Sequence, residues 1–303
     1  MTHVISLQSL AASSAHVEHP AGAGMIAWAV PVVAGLTLIV GYLLGVRRYS
    51  LRFGRRWRPE RTVWFTVGAI MLAVGVSPAI DGAATADPRW HMIQHLLVGM
   101  YAPIGLVFGA PVTLLLGTVD SRRATAATRW LRTPLVHVLS HPATAGLITT
   151  AGLYAFYLTP LYAVAQDHTA VHLGVHAHFL LAGYLFTWSI AGPDAAPRRP
   201  GVRVRVTVLV AVWGAHAFLA KLLYAHADEL PPRSGHGLEH TRQAAELMYY
   251  GGDVAELVIA AALFAAWLRR RPSARAVRHR QQAVAGVPDR RDSSRLMTRP
   301  SHG

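Results

Sequence analysis

The chain has 303 residues, of which 52% are hydrophobic and none is cysteine, and its formal net charge is +14. Without cysteine it forms neither disulfides nor thiolate-ligated metal sites, so any metal must be held by histidine, methionine, carboxylate or amide groups. Repeated runs of about 20 mostly apolar residues place it among membrane proteins. We expect the basic charge to face a membrane, with no nucleic-acid partner.

Seven apolar segments predict an all-α protein, a polytopic bundle of seven transmembrane helices spanning residues 25–268. Residues 1–24 form an N-terminal arm, and residues 269–303 form a basic tail that we expect to be disordered. Pro103 and Pro111 remove backbone donors from the third segment, so we expect that helix to be bent. In chain order the segments are residues 25–46, 62–80, 91–118, 142–165, 170–192, 204–226 and 244–268.

Arginines concentrate after the first, third, fifth and seventh segments. Because cytoplasmic loops collect Lys and Arg, this alternation predicts an N-terminus outside and a C-terminus in the cytoplasm of a multi-pass plasma-membrane protein. Basic segments beside a membrane also attract anionic lipids, which we expect as partners at this face. These arginines are Arg47, Arg48, Arg52, Arg55, Arg56, Arg58, Arg61, Arg122, Arg123, Arg129, Arg132, Arg198, Arg199, Arg203, Arg205, Arg269, Arg270 and Arg271.

Histidines recur every fourth residue at the predicted outer ends of the third and fifth segments, in HMIQH and in HTAVHLGVHAHF. A four-residue step advances an α-helix by about 40° beyond a full turn, so each series stays on one face. Polar side chains at membrane depth usually face the bundle interior, where several together indicate a metal, a haem or a proton path. The candidate metal ligands are His91, His95, His172 and His176, with His168 and His216 as further candidates.

Each candidate also has a plainer interpretation. His91 and His95 would then bond loop carbonyls at the start of a helix, and His216 would be a single satisfied histidine in an apolar run. His178 points about 160° away from His176 on a helical wheel, so we expect ordinary packing for it.

Lys221 is the single lysine of the chain and stands among apolar neighbours, a costly position unless a carboxylate pairs with it. Glu246 and Asp253 in the seventh segment are seven residues apart and share a helical face. We therefore expect a structural ion pair between Lys221 and one of them. Met248 lies between these acids and offers a thioether to a nearby metal.

Three runs resemble the membrane-embedded CtaG family of cytochrome c oxidase assembly factors: HMIQHLLVGMYAPIGLVFGAPVTLLL, YLTPLYAVAQDHTAVHLGVHAHFLLAGYLFTWSIAGPD and AAELMYYGGDVAELVIAAALFAAW. The resemblance covers residues 62–268 and is carried by HMxxH, HxxxHxxxH, the AP and GAP prolines and the GPD. It implies a non-enzymatic helper that supplies copper while a haem-copper terminal oxidase is built, with an oxidase subunit in the membrane as its partner.

The residues leave three functions open. Copper is favoured because nitrogen and oxygen sites bind it most tightly among first-row divalent metals, and Cu(I) also accepts imidazole with thioether. A haem b electron carrier would instead use histidines of the third and fifth segments as axial ligands. A metal- or proton-linked transporter would use Lys221, Glu246 and Asp253 as a switchable set of ion pairs.

Overall fold

The computed structural model describes residues 21–194 and 199–270, and side chains within 28–269. The rest of the predicted arm and tail lies outside the described residues. All regular structure in the described ranges is helical, which confirms the all-α prediction. The helices are α1 (Ala21–Phe53), α2 (Pro59–Gly75), α3 (Pro78–Ala86), α4 (Pro88–Leu96), a π-helical turn (Leu97–Tyr101), α5 (Ala102–Phe108), α6 (Pro111–Thr118), α7 (Ser121–Leu131), α8 (Pro134–Leu139), α9 (Pro142–Leu158), α10 (Leu161–Asp167), α11 (Thr169–Ile190), α12 (Val202–Ala225) and α13 (Leu238–Arg270).

Long apolar helices dominate the described chain, as expected of a membrane protein. Two further apolar stretches are pairs of helices: α2 and α3 meet at 51°, and α9 and α10 meet at 77°. The described residues thus contain five candidate spans, or up to seven if each bent pair is one span. The five are Trp28–Phe53, Pro88–Phe108, Thr169–Ile190, Val202–Ala225 and Leu238–Arg269.

The third apolar segment is interrupted twice. The π-helical turn between α4 and α5 widens the helix by one residue per turn, a feature that is frequent at functional sites. After α5, Ala110 adopts a left-handed conformation with φ of +54° directly before Pro111. A proline disfavours the α-helical conformation in the residue before it, so the chain turns here and α6 starts in a new direction.

Asp194 fixes the start of α6. Its carboxylate accepts hydrogen bonds from the amides of Val112 and Thr113, at 3.1 and 2.7 Å. A carboxylate at a helix N-terminus satisfies free N–H groups and complements the helix dipole. The GPD after the fifth apolar segment therefore contacts the GAP turn of the third, so two motifs that carry the family resemblance form one structural unit.

Glycines bring the central helices into backbone contact. A Cβ on Gly68 of α2 would lie 2.5 Å from the Leu106 amide nitrogen of α5. A Cβ on Gly183 of α11 would overlap the carbonyl oxygen of Gly99 in the π-helical turn. Helix α13 packs against α4 and α12, and α9 packs between α11 and α12. The α4–α5 segment thus lies at the centre of the bundle, with α11 directly beside the π-helical turn.

Basic side chains from three of the four arginine-rich regions meet at one end of the bundle, which we call the arginine end. They line a single cavity together with the end of α13 and the start of α2. The opposite end, which we call the histidine end, carries the starts of α4 and α11. The arginines of the shared cavity are Arg58, Arg61, Arg199, Arg205 and Arg269.

Candidate functional site

The start of α4 orients the first histidine pair. Asp87 caps this helix by accepting a hydrogen bond from the Arg89 amide at 2.9 Å, and Pro88 takes the first helical position. The Arg89 guanidinium also bonds the Asp87 carboxylate, which lowers the pKa of that carboxyl to about 2. With the helix fixed at this residue, His91 and His95 point into the bundle and are only 8% and 6% exposed.

Aromatic rings surround both imidazoles of α4. The His91 ring stacks on Phe156 at 5.7 Å between centroids and meets the edge of Tyr162 at 4.8 Å. The His95 ring contacts Phe179 at 4.7 Å. The Nδ1 atoms of both histidines are buried without a hydrogen-bond partner among the described residues. An unsatisfied buried polar atom costs about 1–3 kcal/mol of stability. Binding a metal ion through these two nitrogens would remove that cost.

The second pair lies on successive turns of α11. The rings of His172 and His176 are 4.4 Å apart, and His176 Nδ1 bonds the His172 carbonyl oxygen at 3.0 Å. His172 Nε2 bonds the Asp81 carboxylate of α3 at 2.8 Å. Gln94 of α4 donates to the same carboxylate at 3.2 Å. Asp81 thereby holds the His172 ring and leaves its Nδ1 for another partner, the arrangement found behind many metal-ligating histidines.

One enclosed cavity of about 10 Å³ is lined by histidines of both helices, and we call it the four-histidine cavity. It has room for one water-sized occupant. Within residues 21–194 and 199–270, no three His, Asp or Glu side chains already stand in positions that would hold a metal. The histidines thus share a space without forming a ready coordination sphere. They are His91, His95, His172 and His176.

The two further candidates lie elsewhere. His168 is the N-cap residue of α11 with an extended backbone, is exposed, and does not line the four-histidine cavity. His216 of α12 lines a second cavity of about 40 Å³, with Met100 and Glu256 among its other walls. We call this the deep cavity. His95 lines both cavities and so connects them.

The deep cavity contains buried polar atoms without partners. Both ring nitrogens of His216 and the Oε2 atom of Glu256 make no hydrogen bond, and these side chains are 5% and 1% exposed. Gly252 of α13 makes room for the imidazole, since a Cβ there would overlap the His216 ring. A space of this size holds a few waters or a small ion. Such an occupant would satisfy the buried nitrogens of His216 and the buried Glu256 oxygen.

The expected ion pair of Lys221 is not formed in the described chain. Its ammonium lies 5.3 Å from the centroid of the Tyr249 ring, and Lys221 and Glu246 both line an open, exposed groove. Asp253 instead accepts a hydrogen bond from the Trp213 indole at 2.6 Å. Lys221 escapes the cost of burial by facing outward, which the helical wheel could not distinguish from pairing. Met248 is fully buried in the apolar core around α4.

Three polar residues at or beside these cavities were not predicted from the sequence: Glu256 lines the deep cavity, and Asp81 and Gln94 lie behind His172. Asp81 falls one residue beyond the predicted second span, so its carboxylate was not considered with the helices. Gln94 lies inside the HMIQH motif, of which only the two histidines were predicted as ligands. Glu256 is a carboxylate in an apolar run. That feature of the sequence would have been enough to predict it as a site residue.

Comparison with known proteins identifies relatives. The family model described as cytochrome c oxidase caa3 assembly factor (Caa3_CtaG) matches residues 40–270. Uncharacterised proteins of Mycobacterium bovis and Mycobacterium tuberculosis are each 35% identical over 193 residues, 61% of this chain and 29% of theirs. One of Mycobacterium leprae is 34% identical over 202 residues, 63% of this chain and 30% of its own. The chain thus matches less than a third of these relatives' length. No solved structure matches significantly.

Proposed function

Because the chain belongs to the Caa3_CtaG family of cytochrome c oxidase caa3 assembly factors, we propose that it holds copper at the four-histidine cavity and hands it to a haem-copper oxidase. The family match confirms the resemblance predicted from the histidine and proline motifs. The observation that carries the copper proposal is that histidines of α4 and α11 line one enclosed space. Copper is here the cargo of a non-enzymatic factor.

The donor chemistry supports copper as the cargo. The chain has no cysteine, so imidazole nitrogen is its strongest donor for a copper ion. An ion bound to the Nδ1 atoms of His91 and His95 would satisfy two buried groups that have no partner. The Asp81 carboxylate would keep His172 in a fixed tautomer and raise its basicity.

Release is as necessary to a carrier as binding. We expect fewer than four protein ligands at any moment, since a closed tetrahedral cage would retain the ion. Exposed His168 at the start of α11 is suited to capture an arriving ion. His95 faces both cavities, and His216 with Glu256 would then provide a second, deeper holding point.

For the membrane arrangement we propose that each bent pair is one span, which gives seven spans in the plasma membrane. The N-terminus is outside and the C-terminus is in the cytoplasm, because arginines from three of the four arginine-rich regions line one cavity at the same end. The four-histidine cavity then lies toward the outer face, where an oxidase subunit would accept the copper. Anionic lipids would surround the arginine end.

The two alternatives have less support. A cavity of about 10 Å³ fits one small occupant and is far too small for a haem macrocycle, which favours an ion over haem b. The transporter hypothesis depended on a switchable pairing of Lys221 with Glu246 or Asp253. Asp253 is engaged by Trp213, and Lys221 lies over an aromatic ring.

The test is copper loading of the purified chain. The double variant His95→Ala with His172→Ala removes one ligand from each helix, and we expect it to lose most of the copper that the wild type retains after gel filtration. The measurement is elemental analysis per chain, with helical circular dichroism to confirm folding.

The matched control is His178→Ala, which removes a histidine of α11 that packs over Gly152 outside the cavity. This control should retain wild-type copper. Unchanged copper in the double variant would reject the four-histidine cavity as the site, and a wild type that takes up no copper would reject the function.

A further inference from the structure

The cavity at the arginine end is large and has two kinds of wall. Its volume is about 810 Å³, within the range of sites that hold small organic molecules. It lies between the starts of α2 and α12, the end of α5, the turn after α11 and the end of α13. Among the described residues, five arginines line it, and Glu60 is the one acidic residue there.

Two of these arginines are held by backbone carbonyls. The Arg199 guanidinium donates to the carbonyl oxygens of Gly192 and Asp194, at 2.6 and 2.7 Å. The Arg205 guanidinium donates to the Ile190 carbonyl oxygen at 2.9 Å. The Ile190 carbonyl ends α11 and the other two follow it directly, where cations complement the helix dipole. Both guanidinium groups are therefore fixed in place along the cavity wall.

The other three arginines keep their charge near the surface. Arg58 is 3.9 Å from the Glu60 carboxylate, but both side chains are 69% exposed, so this pair is weak. The Arg61 guanidinium lies over the Trp57 ring at 4.9 Å. Arg269 is exposed at the end of α13. Among the described lining residues arginines outnumber carboxylates five to one, so the cavity wall is basic.

The opposite wall is apolar and smooth. Residues of α13 at spacings of three and four form one helical stripe along it. Trp64 of α2 meets Phe108 of α5 edge to face at 5.3 Å and extends this surface. The stripe consists of Val258, Ala261, Ala262, Ala265 and Ala266.

We infer that this cavity binds an anionic phospholipid, with its phosphate against the arginines and an acyl chain along the alanine stripe. Guanidinium groups bind phosphate through paired N–H donors, and basic pockets between transmembrane helices bind anionic headgroups. A free phosphate would use the arginines and leave the apolar wall uncovered. The inference rests on the proposed membrane placement and is independent of the copper site.

The experiment measures binding of fluorescent phosphatidylglycerol to the purified full chain in neutral detergent, with phosphatidylcholine as the uncharged comparison. Arg61→Gln with Arg269→Gln removes two charges that make no backbone hydrogen bond across the cavity. Each basic residue near a membrane surface strengthens the binding of anionic lipids. We therefore expect phosphatidylglycerol to bind roughly tenfold to thirtyfold more weakly to this double variant than to the wild type. Phosphatidylcholine should bind weakly to both proteins.

A second variant separates the lipid from a free anion. Ala262→Phe keeps every charge and places a large ring on the alanine stripe. It should therefore weaken the binding of phosphatidylglycerol and leave competition by inorganic phosphate unchanged. Arg61→Lys with Arg269→Lys should retain most of the binding, because the charge remains. The matched control, Arg122→Gln with Arg129→Gln on α7, removes two exposed arginines outside the cavity and should change little.

The outcomes are distinct. Equal binding of phosphatidylglycerol to the wild type and the Arg61→Gln, Arg269→Gln variant would overturn the inference. Full displacement by inorganic phosphate with no effect of Ala262→Phe would show a site for free anions and would also overturn it. Copper loading should be the same in all these variants, so a failure here leaves the proposed function intact.

Discussion

The two ends of the bundle hold polar side chains in different ways. At the histidine end, imidazoles are buried among aromatic rings and two Nδ1 atoms have no partner. At the arginine end, Arg199 and Arg205 bond carbonyls at and just after the end of α11, and the other arginines of the cavity lie nearer the surface. A neutral ring can be buried at a cost of about 1–3 kcal/mol, whereas an unpaired buried charge costs far more. The histidine end can therefore keep neutral imidazole nitrogens in its interior.

This difference separates two kinds of recognition. The histidine end offers nitrogen donors in a small enclosed space and suits an ion that loses its water. The arginine end offers charge beside a large apolar wall and suits an anionic lipid. Variants that damage one end should leave the other end functional.

The largest effect should come from Gly183→Val. The new side chain would overlap the Gly99 carbonyl oxygen and push α11 away from the π-helical turn beside His95. Overpacking of this kind costs about 1–3 kcal/mol or more. We expect a lower midpoint of thermal unfolding in detergent and loss of copper loading, with phosphatidylglycerol binding retained. Gly214→Val is the control, because a Cβ there has open space around it. Equal effects of the two variants would argue against this contact.

Asp81→Asn should weaken copper binding by about ten- to a hundredfold, the usual effect of losing a carboxylate behind a ligating histidine. The amide keeps the size of the side chain but cannot hold His172 as a charged acceptor. Competition with a chelator of known affinity measures the change. Asp120→Asn at the start of α7 makes the same substitution away from the cavity and should leave the affinity unchanged. An unaltered affinity in Asp81→Asn would remove Asp81 from the site.

Asp87→Ala should destabilise the start of α4 by about 1 kcal/mol, as loss of an N-cap usually does. The Arg89 guanidinium holds the pKa of Asp87 at about 2, below its ordinary value of 3.8. A carboxyl whose pKa is lower in the folded chain stabilises the fold at pH values above its pKa in the unfolded chain. This contribution disappears as the pH falls toward 2. Asp87→Asn keeps a capping side chain and removes the charge. Its difference from wild type should therefore shrink between about pH 4 and pH 2, and a pH-independent difference would contradict the assignment.

Lys221→Met should have the smallest effect, within about 0.5 kcal/mol of wild type, as expected at an exposed position. Removing one partner of a buried ion pair would instead cost about 3–5 kcal/mol. Thermal unfolding in detergent distinguishes these values. A large loss shared by Lys221→Met and Glu246→Gln would restore the ion pair that the sequence predicted.

The helical class and the histidine faces could be predicted because they depend on local patterns. Apolar runs predict helices in a membrane, and the four-residue spacing predicts that His172 and His176 share a face. The same reasoning foresaw a bend in the third segment from its prolines. These features need no knowledge of which helices are neighbours.

The remaining features depend on tertiary packing. Asp81 reaches His172 because α3 bends by 51° from α2 and packs on α4, and no spacing in the sequence shows that bend. His216 enters the wall of the deep cavity because Gly252 leaves room for its ring between α12 and α13. The sequence predicted that Lys221 pairs with a carboxylate. The rotation of α12 instead directs its side chain to the surface, over the Tyr249 ring.

The most direct test of the central claim is X-ray absorption at the copper edge, measured on the copper-loaded wild type and on the His95→Ala, His172→Ala double variant. Copper held by these histidines should give imidazole scattering from nitrogens at about 2 Å in the wild type. This scattering should decrease in the double variant and remain in His178→Ala. A spectrum without imidazole scattering, or one that is identical in the double variant, would contradict copper binding by the buried histidines of α4 and α11.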